Sequence, residues 1–241
     1  MRIAIISDIH GNMDAFQQVL IDINKNCIDA VFCLGDNIGY GPEPEEVLRI
    51  LKEETIPSVL GNHEMACINC SMLEWFNPAA SESLKKTIQM LSPGSVKFIA
   101  GLKKSMVCHG CRFVHGFPPD SPTIYLFQVS RKNIFRFMSQ MKERICFIGH
   151  THELRIIEFD GEKCIPYLLK MGITKLKGQC RYIVNVGSVG QPRDGDNRAK
   201  YVIWDTDGDI IEVRFVRYDI EKVVRKIIAA GLPEVHAKKL W

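Results

Sequence analysis

Five short apolar runs in this chain each stop abruptly at a residue able to ligate a metal, with glycine close by. Arg2-Ile3-Ala4-Ile5-Ile6 ends in Ser7-Asp8-Ile9-His10-Gly11, Val31-Phe32-Cys33-Leu34 in Gly35-Asp36, and Pro57-Ser58-Val59-Leu60 in Gly61-Asn62-His63-Glu64. Arg112-Phe113-Val114 ends in His115-Gly116, and Ile145-Cys146-Phe147-Ile148 in Gly149-His150-Thr151-His152. Such runs read as buried strands, and the glycines let the backbone turn tightly at their tips. The pattern predicts an α/β fold whose polar loops gather along one edge of a sheet, where open α/β sheets place their sites. In the first run, side chains two apart on an extended chain point the same way, so Asp8 and His10 are expected to face one side while Ile9 turns into the core. A carboxylate beside an imidazole suits a divalent ion of borderline softness. Asp and His near a strand end also cap helices and occupy turns, so the recurrence favours metal more than any single pair does.

Between these runs the periodicity alternates. Phe16, Val19, Leu20 and Ile23 have helical spacing after a cap at Asn12, and Pro44-Glu45-Glu46 opens a second helix reaching about Glu54. From Met65 to Lys104 the character changes to helical pieces, Ala79 to Leu91 and Ser95 to Leu102, broken at Pro78 and Pro93-Gly94. This stretch reads as a helical insertion at about 65–104 in a single domain spanning 1–241. Most of it is expected to pack on the sheet, with Trp75, Phe76 and Asn77 the exceptions nearest the site. A hairpin from Ser105 to Val114 turns at His109-Gly110, a helix covers Ser130 to Lys142, and strands follow at Arg155 to Phe159, Tyr182 to Val186, Tyr201 to Asp205 and Ile211 to Tyr218. A last helix starts near Asp219 and stops before Gly231.

The 241 residues are enough for a full core. A formal charge of +3 is too small to argue for nucleic acid or an anionic membrane, and no basic stripe with interleaved aromatics appears, which disfavours nucleic acid as a partner. No run of 18 apolar residues exists, and Asp8 interrupts the first apolar stretch, so the expectation is a cytoplasmic protein with no membrane partner. Nine cysteines without an export signal read as reduced thiols. Cys67/Cys70 and Cys108/Cys111 form two CxxC pairs too far apart for a zinc ribbon; structural zinc, a redox pair and ordinary thiols stay open for them, and the second pair has the spacing to face across its hairpin. Oligomeric state leaves no mark in the sequence.

Asp8, His10, Asp36, Asn62, His115, His150 and His152 are too many ligands for one ion and suit two. If Asp36 bridges, the ions would lie about 3.5–4 Å apart, a spacing that clamps the attacking and leaving oxygens of phosphoryl transfer. Two dications facing two carboxylates keep a charge of about +2, which attracts an anionic substrate, and a water shared by both would lose a proton near neutral pH. His63 is the candidate to steady the phosphoryl oxygens or protonate the leaving group, with Glu64 to hold it. His109 and His236 carry no expected role. Mixed imidazole and carboxylate sites accept manganese, iron, zinc, nickel or cobalt, with manganese favoured here.

Asp8-Ile9-His10, Gly35-Asp36, Gly61-Asn62-His63-Glu64, His115 and Gly149-His150-Thr151-His152, in that order, resemble the signature of the calcineurin-like metallophosphoesterase superfamily. Similarity to its small prokaryotic phosphodiesterase-like branch extends through Gly39-Tyr40-Gly41-Pro42 and the segment Asn185-Val186-Gly187-Ser188-Val189-Gly190-Gln191-Pro192-Arg193-Asp194-Gly195. The resemblance implies a four-layer α/β/β/α sandwich of two mixed sheets flanked by helices. It implies that Asp8, His10, Asp36 and His152 hold one ion, that Asp36, Asn62, His115 and His150 hold the other, and that His63 is the catalytic acid. The implied activity is hydrolysis of phosphodiesters, small phosphomonoesters or nucleotides. Dinucleoside polyphosphate hydrolysis, protein dephosphorylation and a non-catalytic scaffold are the alternatives. Dedicated phosphoprotein phosphatases carry an arginine just after the second motif, where this chain has Asn37-Ile38-Gly39-Tyr40. Arg193 and Arg198 are candidates to replace it, or are solvated surface residues.

Overall fold

The computed structural model describes residues 1–241. In chain order the elements are β1 (Arg2–Ile6), α1 (Met13–Asn24), β2 (Ala30–Cys33), α2 (Pro44–Glu53), α3 (Asn62–Ile68), α4 (Pro78–Gln89), α5 (Pro93–Ala100), β3 (Ser105–Cys108) and β4 (Cys111–Val114). They continue with α6 (Arg131–Gln140), β5 (Ile145–Ile148), β6 (Leu154–Phe159), β7 (Cys164–Leu168), β8 (Gly172–Lys175), β9 (Arg181–Val186), β10 (Ala199–Asp205), β11 (Ile210–Val216), α7 (Ile220–Ala229) and α8 (Glu234–Lys238). One sheet has the order β2-β1-β10-β11-β8 and the other β3-β4-β5-β9-β6-β7. Each is mixed: β1 pairs parallel with β2 and antiparallel with β10, while β4, β5 and β9 run parallel between antiparallel neighbours.

The near-continuous apolar character of β1 follows from burial on both faces. Ile3 and Ile5 point between the sheets, where they join Phe32, Leu34, Phe113, Phe147, Tyr182 and Val184. Ala4 and Ile6 point the other way, against Phe16 and Val19 of α1 and Val47 and Leu48 of α2. The second sheet repeats the arrangement, with Cys146, Ile148 and Ile183 packed outward on Met138 of α6. The result is the α/β/β/α sandwich. Each fully buried Ile, Leu or Phe contributes about 1.5–3 kcal/mol, so the layer between the sheets dominates the core.

Three local outcomes differ from the sequence reading. Pro57 to Leu60 makes only single bridges, Cys33↔Ser58 and Val59↔Lys103, instead of a strand, because its neighbours on either side contact it at one residue each. Strands β7 and β8 were not expected: they are sheet edges with several exposed positions, and Pro166 and Gly172 lower their strand propensity. Helix α8 has five residues, too few to show a period. No helix is long and apolar enough to cross a membrane.

Candidate functional site

The polar loops meet at one end of the sandwich, but they come from both sheets rather than from one edge. Asp8, His10 and Asp36 follow β1 and β2, while His115, His150 and His152 follow β4 and β5. Asn62 and His63 open α3, so the third ligand loop is the first turn of a helix.

Asp8 and His10 do not reach the site by strand alternation. β1 ends at Ile6, and both residues are left-handed, with φ of 55° and 50°. Asp36, His150 and His152 are left-handed too, with φ of 53°, 69° and 60°. Backbone strain of this kind persists only where surrounding bonds over-determine it. Here the loops zip together: Asp8 N–H donates to Gly35 O at 3.0 Å, His10 N–H to Asp36 O at 2.8 Å, and His150 N–H to Asp8 Oδ2 at 3.1 Å. The approach is so close that a Cβ on Gly61 would lie 2.1 Å from Asp36 Oδ1, and one on Gly149 2.0 Å from Ser7 Oγ.

Hydrogen bonds decide the tautomers of four imidazoles. Because a carbonyl can only accept, His10 Nδ1–H donates to Ile38 O (3.0 Å), His115 Nδ1–H to Leu34 O (2.8 Å), His152 Nδ1–H to Gln191 O (2.6 Å) and His150 Nε2–H to Thr123 O (3.1 Å). In the neutral rings the opposite nitrogens are then bare lone pairs, and they face one another. His10 Nε2 and His152 Nε2 are 3.1 Å apart; His115 Nε2 lies 3.0 Å from His150 Nδ1 and 3.1 Å from Asn62 Oδ1. Lone pairs so placed repel unless a proton or a cation lies between them. Two nitrogens held at ~2.1 Å by a common ion would be about 3.0–3.4 Å apart for angles from square to tetrahedral, so the donor set fits a metal. Asp8 Oδ1, buried without a hydrogen-bond donor, lies 3.2 Å from His152 Nε2 and belongs to the first group.

Asp36 stands between the groups. Its Oδ2 is 3.7 Å from His10 Nε2 and 3.3 Å from His115 Nε2, while Oδ1 accepts from the His63 backbone N–H at 2.9 Å. Three sets of side chains are close enough to hold an ion: Asp8, His10 and His152; His10, Asp36 and His63; and Asp36, His115 and His150. No cysteine belongs to any of them, all nine are free, and Cys108 and Cys111 face each other across the β3–β4 hairpin.

Burial sets the charge states. It pulls His63 down to about 4 and His150 down to about 3, and it holds His10 well below the usual imidazole range. Burial also disfavours the His115 imidazolium, but the Asp36 carboxylate outweighs it and raises that group to about 9. Asp36 in turn stays ionised far below the usual range despite its burial, held there by His115 and His63. Glu64 does not hold His63. It accepts from the backbone N–H of Asp36, Asn37 and Gly61 at 2.8, 2.5 and 3.1 Å and so ties α3 to the Asp36 loop; burial and the Asp36 carboxylate push it up to about 7.

These directions predict how the metal-free protein responds to acid. His10, His63 and His150 bind protons more readily when unfolded, so their contribution to stability is complete above pH 6.5 and falls as pH drops below it. His115 works oppositely, its contribution being lost as pH rises from 6.5 toward 9. Between pH 6.5 and 5 His115 is protonated in both states, and the group that opposes the three is Glu64, raised to about 7 by burial. With three groups against one, chelator-stripped protein is expected to lose stability in that window, at up to about 1.4 kcal/mol per net group per pH unit, as read by urea titration. Added metal should raise stability near neutral pH and steepen its loss on acidification, because protons compete with the ion for the imidazoles.

Of the residues singled out after the third loop, Phe76 packs edge-on to His63 with ring centroids 5.0 Å apart, Asn77 caps α4 through Ala80 N–H, and Trp75 points into solvent. His236, read from sequence as a tail residue without a role, is buried against Tyr40, with ring centroids 4.5 Å apart. Tyr40 in turn covers His10 and His63. Nothing local to His236 signals this, since α8 and Tyr40 are distant in sequence. His236→Ala removes the backing of Tyr40 and the hydrogen bond to Ala79 O, and is expected to cost ~2 kcal/mol in chemical denaturation.

Residues 1–209 match the family model of the calcineurin-like phosphoesterase superfamily domain. The chain belongs to that superfamily. An uncharacterized protein of Methanocaldococcus jannaschii is 34% identical over 245 residues, covering 99% of this chain and 97% of its own. The crystal structure of a metallophosphoesterase from Sphaerobacter thermophilus superposes with a TM-score of 0.85 at 33% identity, over 100% of this chain and 98% of that one. A hypothetical protein from Pyrococcus horikoshii shares the fold with a TM-score of 0.79 at 16% identity, over 100% and 97% of the two chains. As a member of this metal-dependent superfamily, the chain is a phosphoester hydrolase by family, and its buried His and Asp clusters are able to bind metal.

Proposed function

We propose that this protein hydrolyses phosphodiesters, small phosphomonoesters or nucleotides with a dinuclear metal centre. Asp8, His10, Asp36 and His152 would hold one ion, and Asp36, Asn62, His115 and His150 the other. The observation that carries the reading is Asp36 Oδ2, which faces an imidazole nitrogen of each group, His10 at 3.7 Å and His115 at 3.3 Å. Bound as a pair, divalent ions supply a nucleophile at neutral pH by acidifying water, and they stabilise charge developing on phosphoryl oxygens; manganese is the first choice, with iron, zinc, nickel and cobalt compatible with the donors.

The remaining chemistry belongs to the chain. Backbone carbonyls of Ile38, Leu34, Gln191 and Thr123 fix the imidazoles in the tautomer that presents a lone pair inward, which is the outer-sphere support a metal site needs. His63 has one buried nitrogen without a partner and the other 3.8 Å from Asp36 Oδ2. In this reading it steadies the ester and delivers a proton to the departing oxygen. Residues 1–241 act as one catalytic domain, with 65–104 as an insertion that brings Phe76 to the His63 side.

The test uses protein stripped of metal and reloaded with manganese, with p-nitrophenyl phosphate, bis-p-nitrophenyl phosphate, nucleotides and a phosphopeptide as substrates. Expected are metal-dependent turnover of small esters and two ions per chain by calorimetry and elemental analysis. Absence of turnover with every metal tried, or saturation at one ion, would overturn it.

A further inference from the structure

Building on the phosphoesterase reading, we propose that Arg193 grips the phosphoryl group at the mouth of the site and biases the enzyme toward esters that carry a terminal phosphate. The backbone beneath Arg193 is fastened to the ligand loops. Ser188 Oγ–H donates to Asp8 O at 2.9 Å and accepts from Gln191 N–H at 2.9 Å; Gln191 O receives His152 Nδ1–H; and Arg193 N–H donates to His152 O at 3.2 Å. On its other side the loop is held by Lys200, fully buried, whose Nζ donates to Asp194 Oδ1 and Asp196 O, each at 2.6 Å.

The head of the side chain is the opposite case. Arg193 is exposed, and its guanidinium meets a phenol rather than a carboxylate: Nη2 donates to Tyr40 Oη at a long 3.4 Å, with the guanidinium carbon 5.9 Å from the Tyr40 ring. Tyr40 covers His10 and His63. Across the site Tyr125 stacks on His150 with centroids 3.6 Å apart. The guanidinium thus lies against the ring that covers the candidate catalytic histidine and the ligand His10. Arg198, its neighbour on the loop, is engaged: both Nε and Nη2 bind the Asp196 carboxylate, and the guanidinium lies over Phe215.

A rigidly based arginine with an uncommitted planar fork suits bidentate capture of two phosphate oxygens. A monoester carries three unesterified oxygens and up to two charges, so it keeps an oxygen for Arg193 when the others are engaged at the centre. A diester has two such oxygens and one charge and gains less from the same contact.

Arg193→Ala and Arg193→Lys, loaded with manganese, are compared with the parent on p-nitrophenyl phosphate and bis-p-nitrophenyl phosphate, with inorganic phosphate binding followed by calorimetry. Arg193→Ala is expected to lower kcat/KM for the monoester about 10- to 100-fold, to weaken inorganic phosphate binding in step, and to change the diester rate less than ~3-fold, with metal content unchanged. Arg193→Lys keeps the charge but loses the fork, and should recover only part of the deficit. Equal losses on both esters, or phosphate binding that does not move, would overturn the assignment while leaving the phosphoesterase reading intact. A parent protein inactive on both esters with every metal would remove that reading and this one together.

Discussion

Asp36→Asn is expected to leave the protein folded and to lower turnover at least ~10³-fold, the equivalent of about 4 kcal/mol of transition-state stabilisation. The substitution is isosteric. Its amide oxygen can still accept from His63 N–H, the bond that Oδ1 makes at 2.9 Å, so the loop after β2 stays anchored to the first turn of α3. What changes is the other atom. An amide nitrogen in place of Oδ2 would present hydrogens to His10 and His115, and it could not serve both metal groups at once. Bound metal should therefore fall toward one ion per chain, and the His115 imidazolium, held up at about 9 chiefly against burial by Asp36, should titrate lower. Circular dichroism, elemental analysis, turnover and an NMR titration of the imidazoles in metal-free protein check the four parts. Parental activity in this variant would remove Asp36 from the bridging position.

His63→Ala is the second large effect, with an expected loss of about 10²- to 10⁴-fold in kcat and no loss of metal. Burial keeps the imidazole neutral at pH 7, at about 4 in the metal-free protein; an anionic ester alongside would raise it again and let it give up a proton as the leaving oxygen departs. The signature is selectivity among leaving groups. An aryl ester releasing p-nitrophenolate needs little help from an acid, whereas an alkyl phosphate or a nucleotide does, so the deficit should be deepest for the second kind. A uniform deficit accompanied by lost metal would instead make His63 a ligand, an arrangement its proximity to His10 and Asp36 also permits.

Much of the architecture was legible because it is written in short, local signals. The runs that became β1, β2, β4 and β5 are apolar apart from Arg2 and Arg112 since both faces are largely covered, and each stops where polar side chains begin. The cap at Asn12 was equally readable, and the helix starts placed at Ser130 and near Asp219 turn out to be caps too: each of the three accepts from a backbone N–H of the helix that follows. Edge strands β7 and β8 escaped because exposed edges carry no continuous apolar run, and Pro166 and Gly172 mask what pattern there is.

The chain's own sequence determined which residues stand at the ends of its buried runs, and hence which imidazoles, carboxylates and amide were available to meet. It could not say how they meet. Asp8 and His10 were expected to align as strand neighbours; they converge instead through left-handed turns stabilised by carbonyls of the loop after β2. The inward lone pairs depend on carbonyls far off in sequence, as do the placing of His236 behind Tyr40 and the freedom of Arg193 beside a committed Arg198. Burial and the succession of strands and helices along the chain follow from local composition, whereas sheet order, tautomer, strain and charge state are set by groups brought close only by folding, so these belonged to the tertiary structure alone.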